Sequence, residues 1–361
     1  MSQGRRQQKG LFRRLAEWFE SQQRILPWRE ELTPYRVWIA EIMLQQTQVA
    51  TVIPFYTRFL MRFPDVESLA SADLDEVLIY WSGLGYYSRA RNLHKGAKIV
   101  HQEGRFPQTR EEWLKIPGIG RYTAGAILSI AYNQPEPILD GNVERVLSRV
   151  NCIGGETAEV NKRLWQTSEE WVKRADREGI EPRNFNQALM ELGATLCLPK
   201  KPLCLLCPIQ ENCKAYRLTA IDAYPQKLKR PASVQLREEV FCLVDGKGRI
   251  LLSKRGVGEW REGLWDFPID LPEGLLEEHS AEKAGEMESR HVVTHHKIIR
   301  RTVVWKIQIS GDDCPLPNDY RWVSPGESFA SGSPAKQILR QLERKWPDFF
   351  QKKVNFQRIK S

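Results

Sequence analysis

No run of eighteen or more apolar residues occurs in the sequence, and the basic start (Arg5, Arg6, Lys9, Arg13, Arg14) does not lead into an apolar signal core. The first absence excludes a membrane-spanning helix and the second argues against a secretory leader, so a soluble, cytoplasmic protein without a membrane partner is expected. The basic start leads instead into an amphipathic stretch with Phe12, Leu15, Trp18 and Phe19. Strand-like alternation is nearly missing before Leu218, and neither an internal repeat nor a long low-complexity segment is found.

What is present is a chain of 361 residues, 41% hydrophobic and 27% charged, long enough for two domains or more. Lys and Arg outnumber Asp and Glu 54 to 45, a formal charge of +9. That excess favours a polyanionic partner, nucleic acid or an acidic membrane, and charge alone does not choose between them. The seven cysteines are an odd number, and Cys197, Cys204, Cys207 and Cys213 crowd into one short segment while Cys152, Cys242 and Cys314 are scattered. Such clustering suggests a metal site before disulfides.

From Lys9 to about Leu218, apolar residues recur at spacings of three and four through Arg36 to Phe55, Leu74 to Trp81, Ala124 to Tyr132 and Phe185 to Leu196. This period predicts helices. Ala223 to Val234 then carries two prolines, several basic residues and no period, the pattern of a linker. Beyond it, Glu239 to Val244 and Arg249 to Lys254 flank the turn Asp245-Gly246-Lys247-Gly248, and Ile298 to Ile309 is strand-rich. A β-hairpin and a separate α+β domain are predicted there.

Three motifs carry chemistry. Cys197-x6-Cys204-x2-Cys207-x5-Cys213 offers four thiolates for an iron–sulfur cluster or a zinc ion, and spacing alone leaves ordinary buried cysteines open as well. Leu114 to Ala126 (LKIPGIGRYTAGA) places Pro117, Gly118 and Gly120 in a tight turn between two helical stretches. It is either a plain turn or a helix-hairpin-helix whose freed amides accept a phosphate oxygen. The third motif is Leu26-Pro27-Trp28-Arg29 with Trp38 to Gln48 (WIAEIMLQQTQ) after it. A carboxylate in so apolar a helix is costly unless partnered, so Glu41 lies at a helix surface or at a site; its own segment favours the surface. Gln45, Gln46, Thr47 and Gln48 are four uncharged polar residues in a row, better suited to insertion among bases than to a core.

Together, LPWR, EIMLQQTQV, Gly83-Leu84-Gly85-Tyr86-Tyr87-Ser88-Arg89, the hairpin, Leu139-Asp140-Gly141-Asn142-Val143 and the four cysteines resemble, in this order, the MutY-type adenine DNA glycosylases of the helix-hairpin-helix superfamily. The resemblance implies an all-α, two-lobed glycosylase domain over 8–221, made of a six-helix module at about 27–135 and an iron–sulfur lobe containing 197–213. A linker at 222–235 and a smaller α+β, MutT- or Nudix-like domain at 236–361 would complete the chain. It also implies a [4Fe–4S] cluster on Cys197, Cys204, Cys207 and Cys213. The substrate would be duplex DNA with adenine opposite 8-oxoguanine or guanine, met by a monomer of the bacterial cytoplasm that works at the nucleoid.

By the same resemblance Glu41 protonates adenine and Asp140 faces the sugar cation, supported by Asn142 and Tyr122. Gln46 and Tyr86 wedge into the duplex beside Thr47, Gly118 and Gly120 meet the backbone, and Trp28, Arg29, Leu44 and Gln187 line the adenine pocket. Tyr122 stands where lyase relatives carry a lysine, and a tyrosine cannot form a Schiff base, so hydrolysis without strong lyase activity is expected. In the C-terminal domain Leu251 to Pro268 resembles the MutT-like opening, while the stretch after Pro272 lacks the acidic helix of a Nudix hydrolase. Val293-Thr294-His295 aligns with the family's Phe-Ser-His contact to 8-oxoguanine, which makes Thr294 and His295 the lesion-reading candidates.

Overall fold

The computed structural model describes residues 2–226, 233–293, 295–309 and 315–349, without the side chains of 2–9. Contacts divide the chain into two compact units, Met1–Ala70 with Lys95–Lys229, and Ser71–His94 with Arg230–Ser361. Among the described residues no strand precedes Val234, as the missing alternation predicts.

The helices run α1 (Ser2–Gln22), α2 (Pro34–Leu44), α3 (Val49–Arg62), α4 (Val66–Ser71), α5 (Leu74–Trp81), α6 (Ser88–Glu103), α7 (Arg110–Trp113), α8 (Arg121–Tyr132), α9 (Gly141–Asn151), α10 (Thr157–Arg177), α11 (Pro182–Thr195) and α12 (Lys214–Arg217). Local chemistry sets several of their ends. Thr33 caps α2 by accepting from Arg36 N, with Pro34 in the first turn. Thr109 and Glu112 form a capping box on α7. The helical period read over Arg36 to Phe55 is interrupted at 45–48, where Gln46 takes a φ of 55° and ends α2. The run of four polar residues, with no apolar face to bury, forms that break.

Between α7 and α8, Gly118 adopts a φ of 80° and Ile119 N donates to Ile116 O, closing the predicted hairpin. Gly120 is the N-cap of α8. Two other glycines let backbones meet. A Cβ on Gly125 would lie 2.2 Å from Pro137 O, and one on Gly193 would lie 2.7 Å from Asn142 Cβ. α8 therefore presses on the segment before α9, and α11 presses on the start of α9 itself.

The second unit contains one sheet of β1 (Val234–Asp245), β2 (Ile250–Lys254), β3 (Trp265–Asp266), β4 (Ser280–Val293), β5 (His296–Gln308) and β6 (Tyr320–Val323), in the order β3-β2-β1-β5-β4 with β6 on β2. β1 and β5 pair in parallel, whereas β4 and β5 form an antiparallel hairpin that closes at Val293 and His296. Helix α13 (Ser333–Lys345) lays Ile338, Leu339 and Leu342 over one sheet face, against Val240, Cys242 and Val304. β1 begins inside the span read as a linker, because Val234 and Gln235 find partners in His296 and Lys297.

Ser71–His94 joins this unit through specific bonds. Ser82 Oγ and Tyr87 OH both donate to Ser331 O, at 2.9 and 3.0 Å, Arg91 Nη1 donates to Glu262 O at 2.6 Å, and Lys254 Nζ pairs with Asp75 at 2.8 Å. Within the sheet, Arg300 of β5 is fully buried between Asp266 of β3 and Glu238 of β1, at 2.8 and 2.6 Å. Removing one partner of so buried a pair costs about 3–5 kcal/mol.

Candidate active site

Glu41 projects from α2 into the interior and is 4% exposed, so the surface position its own segment favours is not the one it takes. The partner that makes this tolerable is Tyr122, in the first turn of α8, whose hydroxyl donates to Glu41 Oε2 at 2.8 Å. The hairpin thus delivers the tyrosine. Burial raises the Glu41 carboxyl to about 7, the Tyr122 hydrogen bond pulls the other way, and the charge of Asp140 adds to the rise. A carboxyl so placed holds its proton near neutral pH.

Asp140 is the N-cap of α9. Its Oδ1 accepts from Asn142 N at 3.1 Å and Val143 N at 2.7 Å, and its Oδ2 accepts from Asn142 Nδ2 at 3.1 Å. Burial lifts its pKa, while these donors and the guanidinium of Arg145 favour the anion, as does the positive end of α9. The two carboxyls therefore differ in surroundings: one has a single hydroxyl partner in a dry position, the other three N–H groups at a helix start. Asn142 thus reaches Asp140 through both its backbone and its side-chain nitrogen. Tyr122 does not bond to Asp140, because its one proton goes to Glu41.

Arg145, which the motifs did not single out, holds this arrangement from behind. It donates to Asn142 Oδ1 and Gly193 O, both at 2.7 Å, and to Cys197 O at 2.6 Å. Nearby Arg29 donates to Gln187 Oε1 at 3.3 Å and to Glu191, which also binds Arg24; the last two were likewise missed. The available signal was a charge inside the apolar period of α11, the same cost that marks Glu41.

Trp28 is buried edge-on against Tyr56, with ring centroids 5.5 Å apart, and Leu44 is half-buried at the end of α2. Gln46 is exposed on the break, with Thr47 Oγ1 donating to Gln45 O at 3.3 Å. Gln45 Nε2 in turn reaches Thr123 Oγ1 at 3.3 Å, beside Tyr122. Gly118 and Gly120 lie in the hairpin. Tyr86 and His295 belong to the other unit; Tyr86 is exposed with a φ of 47°, and the His295 ring lies 4.0 Å from that of His296. Thr294 and Cys314 fall outside the described residues.

Cys197, Cys204, Cys207 and Cys213 line one cavity of about 30 Å3, closed by Val146, Leu192 and Ile209 among others. Arg149, buried at its rim, donates to Cys197 Sγ at 3.4 Å and to Leu198 O at 2.7 Å. Burial pushes the Cys207 thiol up to about 12. Among the described residues no group of three or more His, Cys, Asp or Glu is arranged to hold a metal ion, and no helix is long and apolar enough to cross a membrane.

The model of the HhH-GPD superfamily base excision DNA repair proteins matches residues 39–170. The chain is 43% identical to the adenine DNA glycosylase of Buchnera aphidicola subsp. Baizongia pistaciae over 250 residues, which cover 67% of this chain and 68% of that protein. It is 47% identical to the rat adenine DNA glycosylase over 325 residues, 74% of this chain and 62% of the rat protein. In structure it resembles a thermostable thymine-DNA glycosylase, with a TM-score of 0.53, 28% identity, and coverage of 60% of this chain and 99% of that one. A helical hairpin set beside two unlike carboxyls, in a chain with these relatives, defines a DNA glycosylase of base excision repair. The chain belongs to the adenine DNA glycosylases.

Proposed function

We propose that the protein releases adenine mispaired with 8-oxoguanine, and less readily with guanine, from duplex DNA by hydrolysis of the N-glycosidic bond. The observation that carries this is the contrast between Glu41, kept protonated by burial near neutral pH, and Asp140, held by three N–H donors at the start of α9. Cleavage needs both states at once: a proton for the leaving base and an anion beside the sugar as positive charge develops on it. A base inside the stack cannot be reached, so the nucleotide is flipped, with Gln46, Thr47 and Tyr86 at the duplex and Trp28, Arg29, Leu44 and Gln187 around the adenine. Glu41 gives its proton to N7 of the flipped base. Asp140 then faces the oxocarbenium ion until water adds, and Asn142 keeps its carboxylate oriented.

The four cysteines would hold a [4Fe–4S] cluster. The four thiols line one shared cavity, and their spacing in the chain is that of a cluster-binding loop, which supports this reading. A bound cluster supplies covalent cross-links among its loop ligands and a redox centre. The sheet unit acts as a MutT-like reader without hydrolase chemistry, with Thr294 and His295 at the 8-oxoguanine. The working form is a monomer in a bacterial cytoplasm, with a catalytic region over 8–221 and a reading region over 236–361.

The test is a panel of duplexes that pair adenine, thymine, cytosine and guanine with 8-oxoguanine and guanine, with identification of the released base under single-turnover conditions. Release of adenine alone, faster opposite 8-oxoguanine, supports the reading. Release of thymine from a mismatch in preference to adenine overturns it.

A further inference from the structure

Glu191 lies one turn after Gln187 on α11 and is 1% exposed. Its Oε1 accepts from Arg24 N at 3.2 Å and Arg24 Nε at 2.7 Å, and its Oε2 accepts from Arg24 Nη2 at 3.0 Å and Arg29 Nη2 at 2.8 Å. Burial works against a charge there, but the two guanidiniums overcome it and hold the carboxyl below the ordinary glutamate range. Arg29 is fixed on its other sides too. Its Nη1 donates to Arg24 O at 2.9 Å, its guanidinium carbon lies 5.0 Å from the Phe19 ring centre, and its Nε donates to Gln187 Oε1 at 3.3 Å.

The last of these bonds decides which way the Gln187 amide faces. The two ends of a carboxamide are nearly alike in shape, so an unconstrained glutamine can present either one. A guanidinium has donors and no acceptor. Facing Arg29, Gln187 must turn its oxygen inward and present its NH2 on the opposite side.

We infer that Glu191 is a positioning residue for base selectivity: by fixing Arg29 it locks Gln187 as a donor, so that the pocket accepts a ring nitrogen with a lone pair and rejects a ring N–H. The inference rests on the placing of Arg29 and Gln187 in the adenine pocket. Adenine has acceptors at all three free ring nitrogens, whereas hypoxanthine and guanine carry a hydrogen on N1. Two donors forced together in a dry site leave both unpaired, a mismatch that can discriminate by about 10⁴-fold. Without the lock, Gln187 can turn over and meet N1–H with its oxygen.

The experiment measures single-turnover release of adenine and of hypoxanthine, each opposite 8-oxoguanine, for the parent, Glu191→Gln, Gln187→Met and the double variant. In Glu191→Gln the adenine rate should fall about tenfold or more, and the hypoxanthine-to-adenine ratio should rise, with mismatch Kd nearly unchanged. In the Gln187→Met background the same change should add little, since the residue through which it acts is gone. Glu191→Asp keeps the charge and should restore part of the selectivity; it carries the same cycle if Glu191→Gln does not yield a helical protein. An unchanged ratio, or equal losses with and without Gln187, overturns the inference. A parent that releases no adenine from any duplex overturns the reading of the pocket instead.

Discussion

Tyr122 OH donates to Glu41 Oε2 at 2.8 Å, and through this one bond the helical hairpin offsets part of the rise that burial imposes on the carboxyl. The bond favours the charged form, so Tyr122→Phe should raise the Glu41 pKa above its present value of about 7. Activity that needs protonated Glu41 falls as pH rises through that value. Single-turnover rates measured against pH should show this falling limb moved to higher pH in Tyr122→Phe, and a limb left in place would remove Tyr122 from the control of Glu41.

Glu41→Gln should bind mismatched DNA normally and lose at least ~10²-fold in base release, the contribution expected of a general acid. It should also gain stability at high pH. Burial raises Glu41 from 4.5 to about 7, so the folded state binds the extra proton and stability falls as pH rises through this window, by about 3 kcal/mol at ~1.4 kcal/mol per unit. Thermal melts at pH 5 and pH 8 test this: Tm should exceed that of the parent at pH 8 and differ little at pH 5.

Asp140 caps α9 with the same carboxylate to which the proposal assigns the chemistry, and two variants separate the roles. Asp140→Asn keeps an acceptor for the α9 amides, so its stability should change little, while a neutral amide cannot offset the sugar cation and release should drop by about 10²–10³-fold. Asp140→Ala should lose the cap as well, about 0.5–2 kcal/mol in chemical denaturation. Equal stability losses in both variants would contradict the capping geometry.

Strand cleavage offers an independent check, because a phenol cannot form the imine that β-elimination requires. The product should be an intact abasic strand that breaks only after alkali or heat. Stoichiometric trapping of a covalent adduct with borohydride would contradict the assignment.

If the four cysteines hold the proposed [4Fe–4S] cluster, the protein should be yellow-brown with iron near four atoms per chain, and Cys204→Ser should give poorly soluble or DNA-binding-deficient material. Stoichiometric zinc and no iron in anaerobically prepared protein would refute the cluster.

If Thr294 and His295 read the lesion as proposed, Thr294→Ala with His295→Ala should reduce preference for 8-oxoguanine over guanine by roughly tenfold, at about 0.5–1.5 kcal/mol per hydrogen bond. The ratio of excision rates below saturation measures it; an unchanged ratio would remove both residues from lesion recognition.

The helices, the hairpin and the β-rich tail were legible because each depends on a local pattern: α5 has the bounds Leu74–Trp81 that its apolar spacing marks. Glu41 and Asp140 were legible as motif members, but not the depth of Glu41, since burial is set by α8, about eighty residues away in sequence. Glu191, Arg24 and Arg145 escaped for the same reason. A lone charge reads as solvated until distant chain supplies its partner. Nor could spacing reveal that Ser71–His94 packs with residues beyond Arg230, because those bonds involve single hydroxyls and carbonyls with no period.

That last grouping changes what a truncation means. Cutting the chain near residue 230 would not lift off a self-contained module. It would take Ser331 O from Ser82 and Tyr87, Glu262 from Arg91 and Lys254 from Asp75, stripping one side of the loop that carries Tyr86. A shortened protein would thus combine a missing sheet with a loosened Tyr86 loop, and slower adenine release from it would report on both. Substitutions at the hairpin tip leave those bonds in place and so separate the two.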